Sequence, residues 1–306
     1  MEKKLLKEEK IRIIVREEYG KVATRSRKAS CCGNSGNTET NPSNSCNSGS
    51  CGGAISIPAE KRDVFLKKYS VQLGYTEDDL KSIPDGSNLA LGCGNPTAHA
   101  SIKEGETVLD LGSGGGLDCF IAAKKVGNIG KVIGIDMTPA MIDTARKNAI
   151  EGNYDNVEFR LGEIEHLPVA DNSIDLIISN CVINLAPNKE IVFKEAFRVL
   201  KPGGRLMVSD IVLLKELPNI VRENVRAYVS CIGGAILKEE YLTAIEKAGF
   251  QDIEIVDQSN FSTTEFLLND DDIKEALGDQ IDTIKKLDQL EIDSTSIKVK
   301  AIKPYN

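Results

Sequence analysis

VLDLGSGGG, residues 108–116, is a run of apolar residues that stops at Leu111 and opens into glycines. LDCFIAAKKV follows, apolar on a helical spacing. A buried strand, a glycine turn and a helix in that order form one unit of a wound α/β sheet. The pattern continues downstream. KVIGIDM (131–137) reads as a strand. TPAMIDTARKNAI (138–150) reads as a helix, with Thr138 as N-cap and Pro139 at its first position. NVEFRLG (156–162) and SIDLIISN (173–180) read as strands, KEIVFKEAFRVL (189–200) as a helix and GGRLMVSDIV (203–212) as a strand. Two further helices precede the alternating strands FQDIEIVD (250–257) and SIKVKAIKP (296–304). The expected fold is α/β: a Rossmann-like, doubly wound, mostly parallel sheet with an N-terminal helical segment and a small C-terminal α+β part.

The glycine turn alone serves NAD, FAD, a phosphate or no ligand. Three strand ends narrow the choice. Asp110, just before the glycines, suits an ammonium group and would repel a pyrophosphate. Asp136 ends the next strand, where a carboxylate accepts ribose hydroxyls. Gly162, Glu163, Ile164 and Glu165 form an acidic, apolar corner suited to an adenine edge. An amino-acid head, a ribose and an adenine together describe S-adenosylmethionine. The candidate cofactor residues are these six with Gly112, Ser113, Gly114, Gly116, Met137 and Asn180.

The 306 residues carry 38 Lys and Arg against 46 Asp and Glu, a net charge of −8. That excludes a broad basic face for nucleic acid. No apolar run reaches the ~20 residues of a membrane span, so no membrane is expected. The N-terminus, MEKKLLKEEKIRIIVREEYG, is too charged for a signal peptide. A cytoplasmic location follows as an expectation, and with it reduced thiols. Eight cysteines then point to metal or thiol chemistry. Two histidines are too few for a histidine-based metal or acid–base site. Residues 3–24 read as an amphipathic helix within a segment 1–30. Residues 31–55, rich in Gly, Ser and Asn and holding Cys31, Cys32, Cys46 and Cys51, read as a flexible linker. The expected core spans 56–212, followed by a sheet-completing region 213–256 and a region 257–306 without an assigned role. The acidic run NDDDIKEALGD (269–279) lacks the spacing of a calcium loop.

VLDLGSGGG, GIDMTPAMIDTAR and FRVLKPGGRL resemble class I methyltransferases. LGCGNP (91–96), SNCVINL (179–185) and SCIGGA (230–235), in that order, resemble the arsenite methyltransferase family in its bacterial and archaeal form. The likeness runs over about residues 10–255 and more weakly over the final strand. It implies methyl transfer from S-adenosylmethionine to thiolate-bound arsenite, or to its thiol conjugates, as a small-molecule substrate. It implies that Cys181 and Cys231 hold arsenic, and that Cys93 completes the site or supplies electrons. It also implies a thiol reductant, thioredoxin or glutathione, with thioredoxin as a possible partner and Cys31 or Cys32 as the redox partner of Cys93. Cys46 and Cys51 depart from the family's pattern and leave that pairing open. No resident metal is expected, since C-C plus C-x4-C is not a zinc spacing. Cys119 is assigned to core packing. Two other readings remain: a methyltransferase of a small carbon, nitrogen or oxygen acceptor with structural cysteines, and a non-catalytic metalloid sensor.

Overall fold

The computed structural model describes residues 2–30, 59–222, 224–262 and 293–305. The linker with Cys31, Cys32, Cys46 and Cys51, and the acidic run 269–279, lie outside the described residues.

In chain order the helices are α1 (Glu2–Ser30), α2 (Ala59–Gln72), α3 (Glu77–Lys81), α4 (Pro96–His99), α5 (Leu117–Val126), α6 (Pro139–Glu151), α7 (Lys189–Val199), α8 (Asn219–Arg222), α9 (Val225–Val229) and α10 (Lys238–Lys247). The strands are β1 (Thr107–Leu111), β2 (Lys131–Asp136), β3 (Val157–Leu161), β4 (Ile174–Asn180), β5 (Leu200–Leu213), β6 (Gln251–Ser262) and β7 (Asp293–Ile302). They form one sheet in the order β3-β2-β1-β4-β5-β7-β6. The first five are parallel, and β7 runs antiparallel to both of its neighbours.

The central strands are buried on both faces, which is why they read as unbroken apolar runs. Val108, Leu109 and Leu111 of β1 and Leu176, Ile177 and Ile178 of β4 are fully buried. One layer packs Phe193, Tyr241 and Phe250 against the sheet, and the opposite layer packs Phe120 and Ile142 against it around Phe159 of β3. The order of strand addition reverses between the parallel neighbours β1 and β4. Their carboxyl ends therefore flank a crevice, the usual ligand position in open α/β sheets.

The structure adds detail at two points. The division at residue 256 does not follow the sheet. β6 continues to Ser262, and β7 enters between β5 and β6. Antiparallel pairing from Arg205 with Ile302 to Leu213 with Ser294 joins the strands of the small C-terminal α+β part to the one sheet. Thr138 does occupy the N-cap of α6 with Pro139 in the first turn, but its side chain makes no capping hydrogen bond. Its backbone N–H donates instead to Asp136 Oδ1 at 2.8 Å.

Candidate functional site

A cleft of about 980 Å3, open mouth included, lies over the carboxyl ends of β1, β2 and β4. Its floor is the β1–α5 turn. Gly112, Gly114 and Gly116 all have positive φ, the region in which side chains are strained. A Cβ on Gly112 would meet Val182, and one on Gly116 would meet Phe120 and Phe159. A Cβ on Gly114 would meet no atom of the described residues within 4 Å. Packing explains the outer two glycines, while Gly114 keeps open the space above the turn. Ser113 Oγ is buried at the same turn with no hydrogen-bond partner among the described residues. An open space over a glycine and an orphaned hydroxyl fit a bound polar ligand.

Asp110 and Asp118 face this cleft together. Burial, reinforced by the Asp118 charge, pushes the Asp110 carboxyl well above its ordinary range. Burial also raises Asp118, to about 6, against hydrogen bonds from Tyr75 and Asn180. Two adjacent buried carboxylates resist joint ionisation until a cation arrives. Cys119 is fully buried as expected, but it also places its Sγ 3.2 Å from Asp110 Oδ2.

Asp136 lies beside the turn with its two oxygens already engaged. Oδ2 accepts the Gly114 N–H at 3.0 Å and Oδ1 accepts the Thr138 N–H. A carboxylate has about four acceptor sites, so ribose hydroxyls remain within its capacity. At the far corner Gly162, Ile164 and Glu165 line the cleft with Met137. Glu163 does not line it: it pairs with Arg12 at 3.4 Å and Arg16 at 3.3 Å, while Glu165 pairs with Arg12 at 3.1 Å. These arginines belong to α1, which roofs the cleft with Val15 and Tyr19. The apolar stripe Ile11, Val15 and Tyr19 packs into the same cluster as Cys181 and Cys231.

The sulfurs gather at the rim through Cys181, which lines the cleft and touches both Cys93 and Cys231. Cys93 and Cys181 are joined as a disulfide, with Cα atoms 5.7 Å apart. Cys231 remains a thiol and donates to the Cys181 carbonyl at 2.8 Å. Cys181 (φ 60°) and Cys231 (φ 65°) both occupy the left-handed region. That costs a residue with a Cβ roughly 1–2 kcal/mol and is commonest where function constrains the backbone. Gly92 and Gly94 flank Cys93 because Cβ atoms there would strike Asn180 and Ser209 Oγ. Asn180, expected among the cofactor residues, lines the cleft and also pins this loop: its Oδ1 accepts the Cys93 N–H at 3.1 Å.

A methyltransferase domain model matches residues 102–249. The solved structure of an arsenic(III) S-adenosylmethionine methyltransferase from Chlamydomonas reinhardtii is 32% identical, with a TM-score of 0.58 over 78% of this chain and 73% of that one. The chain belongs to the arsenite methyltransferase family. The arsenite methyltransferase of Halobacterium salinarum is 43% identical over 89% of this chain, and that of Aquipseudomonas alcaligenes is 39% identical over 64%. The chain spans 65% and 57% of those two proteins' lengths.

In this member of the arsenite methyltransferase family, the structure adds residues that sequence reading missed. Asp210, in the carboxyl-terminal half of β5, has a carboxylate oxygen within 4.8 Å of the Cys93 and Cys181 sulfurs. Burial raises it to about 7, opposed by the Tyr241 hydroxyl at 2.9 Å and the charge of Lys189. Burial lowers Lys189 to about 8. Burial and the Asp210 charge push the Cys231 thiol well up. A polar Ser209-Asp210 pair interrupting an apolar strand was the available signal for Asp210. Tyr75 lies outside every motif and carried none. His99 and His166 are exposed and contribute nothing to the rim.

Proposed function

We propose that this chain transfers methyl groups from S-adenosylmethionine to trivalent arsenic held by cysteine sulfur. The observation that carries the reading is the meeting of two sites: an open glycine floor with paired acids, and three cysteines at its rim. Asp110 and Asp118 would hold the ammonium of the cofactor. Asp136 would hold its ribose, and Gly162, Ile164 and Glu165 would surround its adenine. Bound there, the cofactor supplies an electrophilic methyl group. The arsenic lone pair is the nucleophile, so no general base is required, in keeping with two exposed histidines.

The sulfur chemistry balances without preformed thiolates. A thiol reductant first opens the Cys93–Cys181 disulfide, converting two of its thiols to a disulfide. Arsenous acid then exchanges hydroxyls for sulfur: each thiol that binds gives its proton to a departing hydroxyl as water. A Cys231 thiol held protonated by burial is a competent ligand on this route. Soft sulfur donors match the thiophilic arsenic centre. Methyl transfer raises arsenic from the trivalent to the pentavalent state, and two electrons from thiols restore it. Thioredoxin or glutathione in a reducing cytoplasm would supply them, with Cys31 or Cys32 relaying through Cys93. A carbon, nitrogen or oxygen acceptor would leave this sulfur rim without a use.

The test is incubation of the protein with arsenite, a dithiol and S-adenosylmethionine. Methylated arsenic is expected in step with S-adenosylhomocysteine. Cofactor consumption without methylated arsenic would overturn the substrate, and neither product would overturn the activity.

A further inference from the structure

Asn180 stands between the paired acids and the Cys93 loop and touches both. Its carboxamide nitrogen has two hydrogens but three acceptors in reach: Gly94 O at 2.8 Å, Tyr75 Oη at 3.0 Å and Asp118 Oδ2 at 3.2 Å. Tyr75 spends its own hydrogen on Asp118 Oδ1 at 2.7 Å. The amide therefore divides two donors between the loop that carries Cys93 and a carboxylate that faces the cofactor cleft. Its oxygen is committed to the Cys93 N–H. A Cβ on Gly92 would come within 2.5 Å of the amide nitrogen, so the loop lies flush against it.

We propose that Asn180 is a positioning residue that, with Tyr75 and Asp118, couples occupancy of the cofactor cleft to the seating of Cys93. This rests on the reading of the cleft as the S-adenosylmethionine site. With the cleft empty, Asp118 and Tyr75 compete with Gly94 for the two amide hydrogens, so the bond to Gly94 is shared and the loop is held less firmly. An ammonium group at Asp110 and Asp118 offers Asp118 a charged donor, which forms a stronger hydrogen bond than the neutral amide and draws the carboxylate away from it. The two amide hydrogens then settle on Gly94 and Tyr75, and the loop is clamped through Gly94 O and the Cys93 N–H together. In the reduced protein the sulfur is thereby held more firmly when a methyl donor is present. A ligand shifts such an equilibrium only by its differential interaction with the two arrangements, and here the cation supplies it.

The experiment reads the alkylation rate of Cys93 by iodoacetamide in the fully reduced protein, resolved by peptide mass spectrometry, with S-adenosylhomocysteine as the probe. In the unaltered protein the probe should slow labelling of Cys93 about fivefold or more, within the range of typical site–site coupling. Tyr75→Phe keeps the ring and deletes only the bridging hydroxyl. It should bind the probe as the unaltered protein does by calorimetry, yet lose most of the slowing. Asn180→Ala should label Cys93 faster without the probe and show no response to it. Slowing retained in both variants would mean that the ligand merely shields the thiol, and would overturn the coupling. If Asn180→Ala does not fold, Tyr75→Phe decides alone. Failure of the unaltered protein to bind the probe overturns the cofactor reading and the coupling with it. Binding without a Tyr75-dependent response overturns the coupling only.

Discussion

The floor of the cleft is five consecutive residues, Gly112 to Gly116, whereas its rim gathers Cys93, Cys181 and Cys231 from three loops. Cys93 and Cys181 are 88 residues apart in the chain, and Cys181 and Cys231 are 50 apart. The floor's shape follows from local chemistry: glycines in the left-handed region, a strand behind and a helix ahead. The rim exists only once β4, β5 and the α9–α10 region have packed. A local site and an assembled site should fail differently, and substitutions can separate them.

The largest effect is expected at the rim. Cys181→Ser, Cys231→Ser and the double variant should be almost equally inactive with arsenite, each down by about 100-fold or more. Either loss destroys chelation, and residues acting as a unit are not additive. All three should bind S-adenosylmethionine normally by calorimetry. Additive, partial losses would break the comparison, because they would mean that two sulfurs act separately.

At the floor, Gly114→Val should fold, with melting lowered by the roughly 1–2 kcal/mol strain of a positive φ, and should bind no cofactor. Arsenite binding by the reduced protein should persist. A Gly114→Val variant that still methylates arsenite would misplace the floor. Asp136→Ala comes next. It removes two charge-assisted acceptors of backbone N–H groups, worth ~1.5–3 kcal/mol each, from Gly114 and Thr138. Cofactor affinity should fall at least about tenfold, and arsenite binding should not change. Equal damage to both would mean that the floor and rim are one cooperative unit.

The smallest effect is a pH dependence beneath the rim. The Asp210 carboxyl sits at about 7 in the folded chain, against an ordinary value of about 4. The fold favours its protonated form. That contribution is full below about pH 4 and is lost as pH rises to about 7. Asp210→Asn keeps an acceptor for Tyr241 and removes the titration. Its melting temperature relative to the unaltered protein should therefore be higher at pH 8 than at pH 5. A constant difference across that range would show that Asp210 is ionised throughout.

The same contrast governs what could be read in advance. The glycine turn, the strand–helix alternation and the ends of β1 and β2 were legible because each is written in contiguous residues with a strong period. The position of β7 was not, since its pattern fixes a strand but not its neighbours, and here the last strand displaces β6 from β5. Asp118 sat in view beside the glycine turn, but nothing local shows that its carboxylate joins Asp110. The α1 roof was read as an amphipathic helix without a partner. Only the fold shows that Val15 and Tyr19 close the cleft and that Arg12 and Arg16 draw Glu163 away from it. The cysteines were visible as motifs, yet the Cys93–Cys181 bond depends on a loop pinned by Asn180.

The late entry of β7 bears on how the chain matures during synthesis. Gly94 rests against Lys298, and Ser296 Oγ donates to the Cys93 carbonyl at 3.1 Å. The backing of the first sulfur loop is thus supplied by residues made some two hundred positions later. On the ribosome, β1 to β5 can emerge and pair while that backing is still unwritten. Until residues through Ile302 leave the exit tunnel, β5 presents a bare edge, and β6 lacks the strand that joins it to the rest. The nascent chain therefore has its nucleotide-type crevice before it has a seat for Cys93, and the two halves of the cleft are completed at different stages of synthesis.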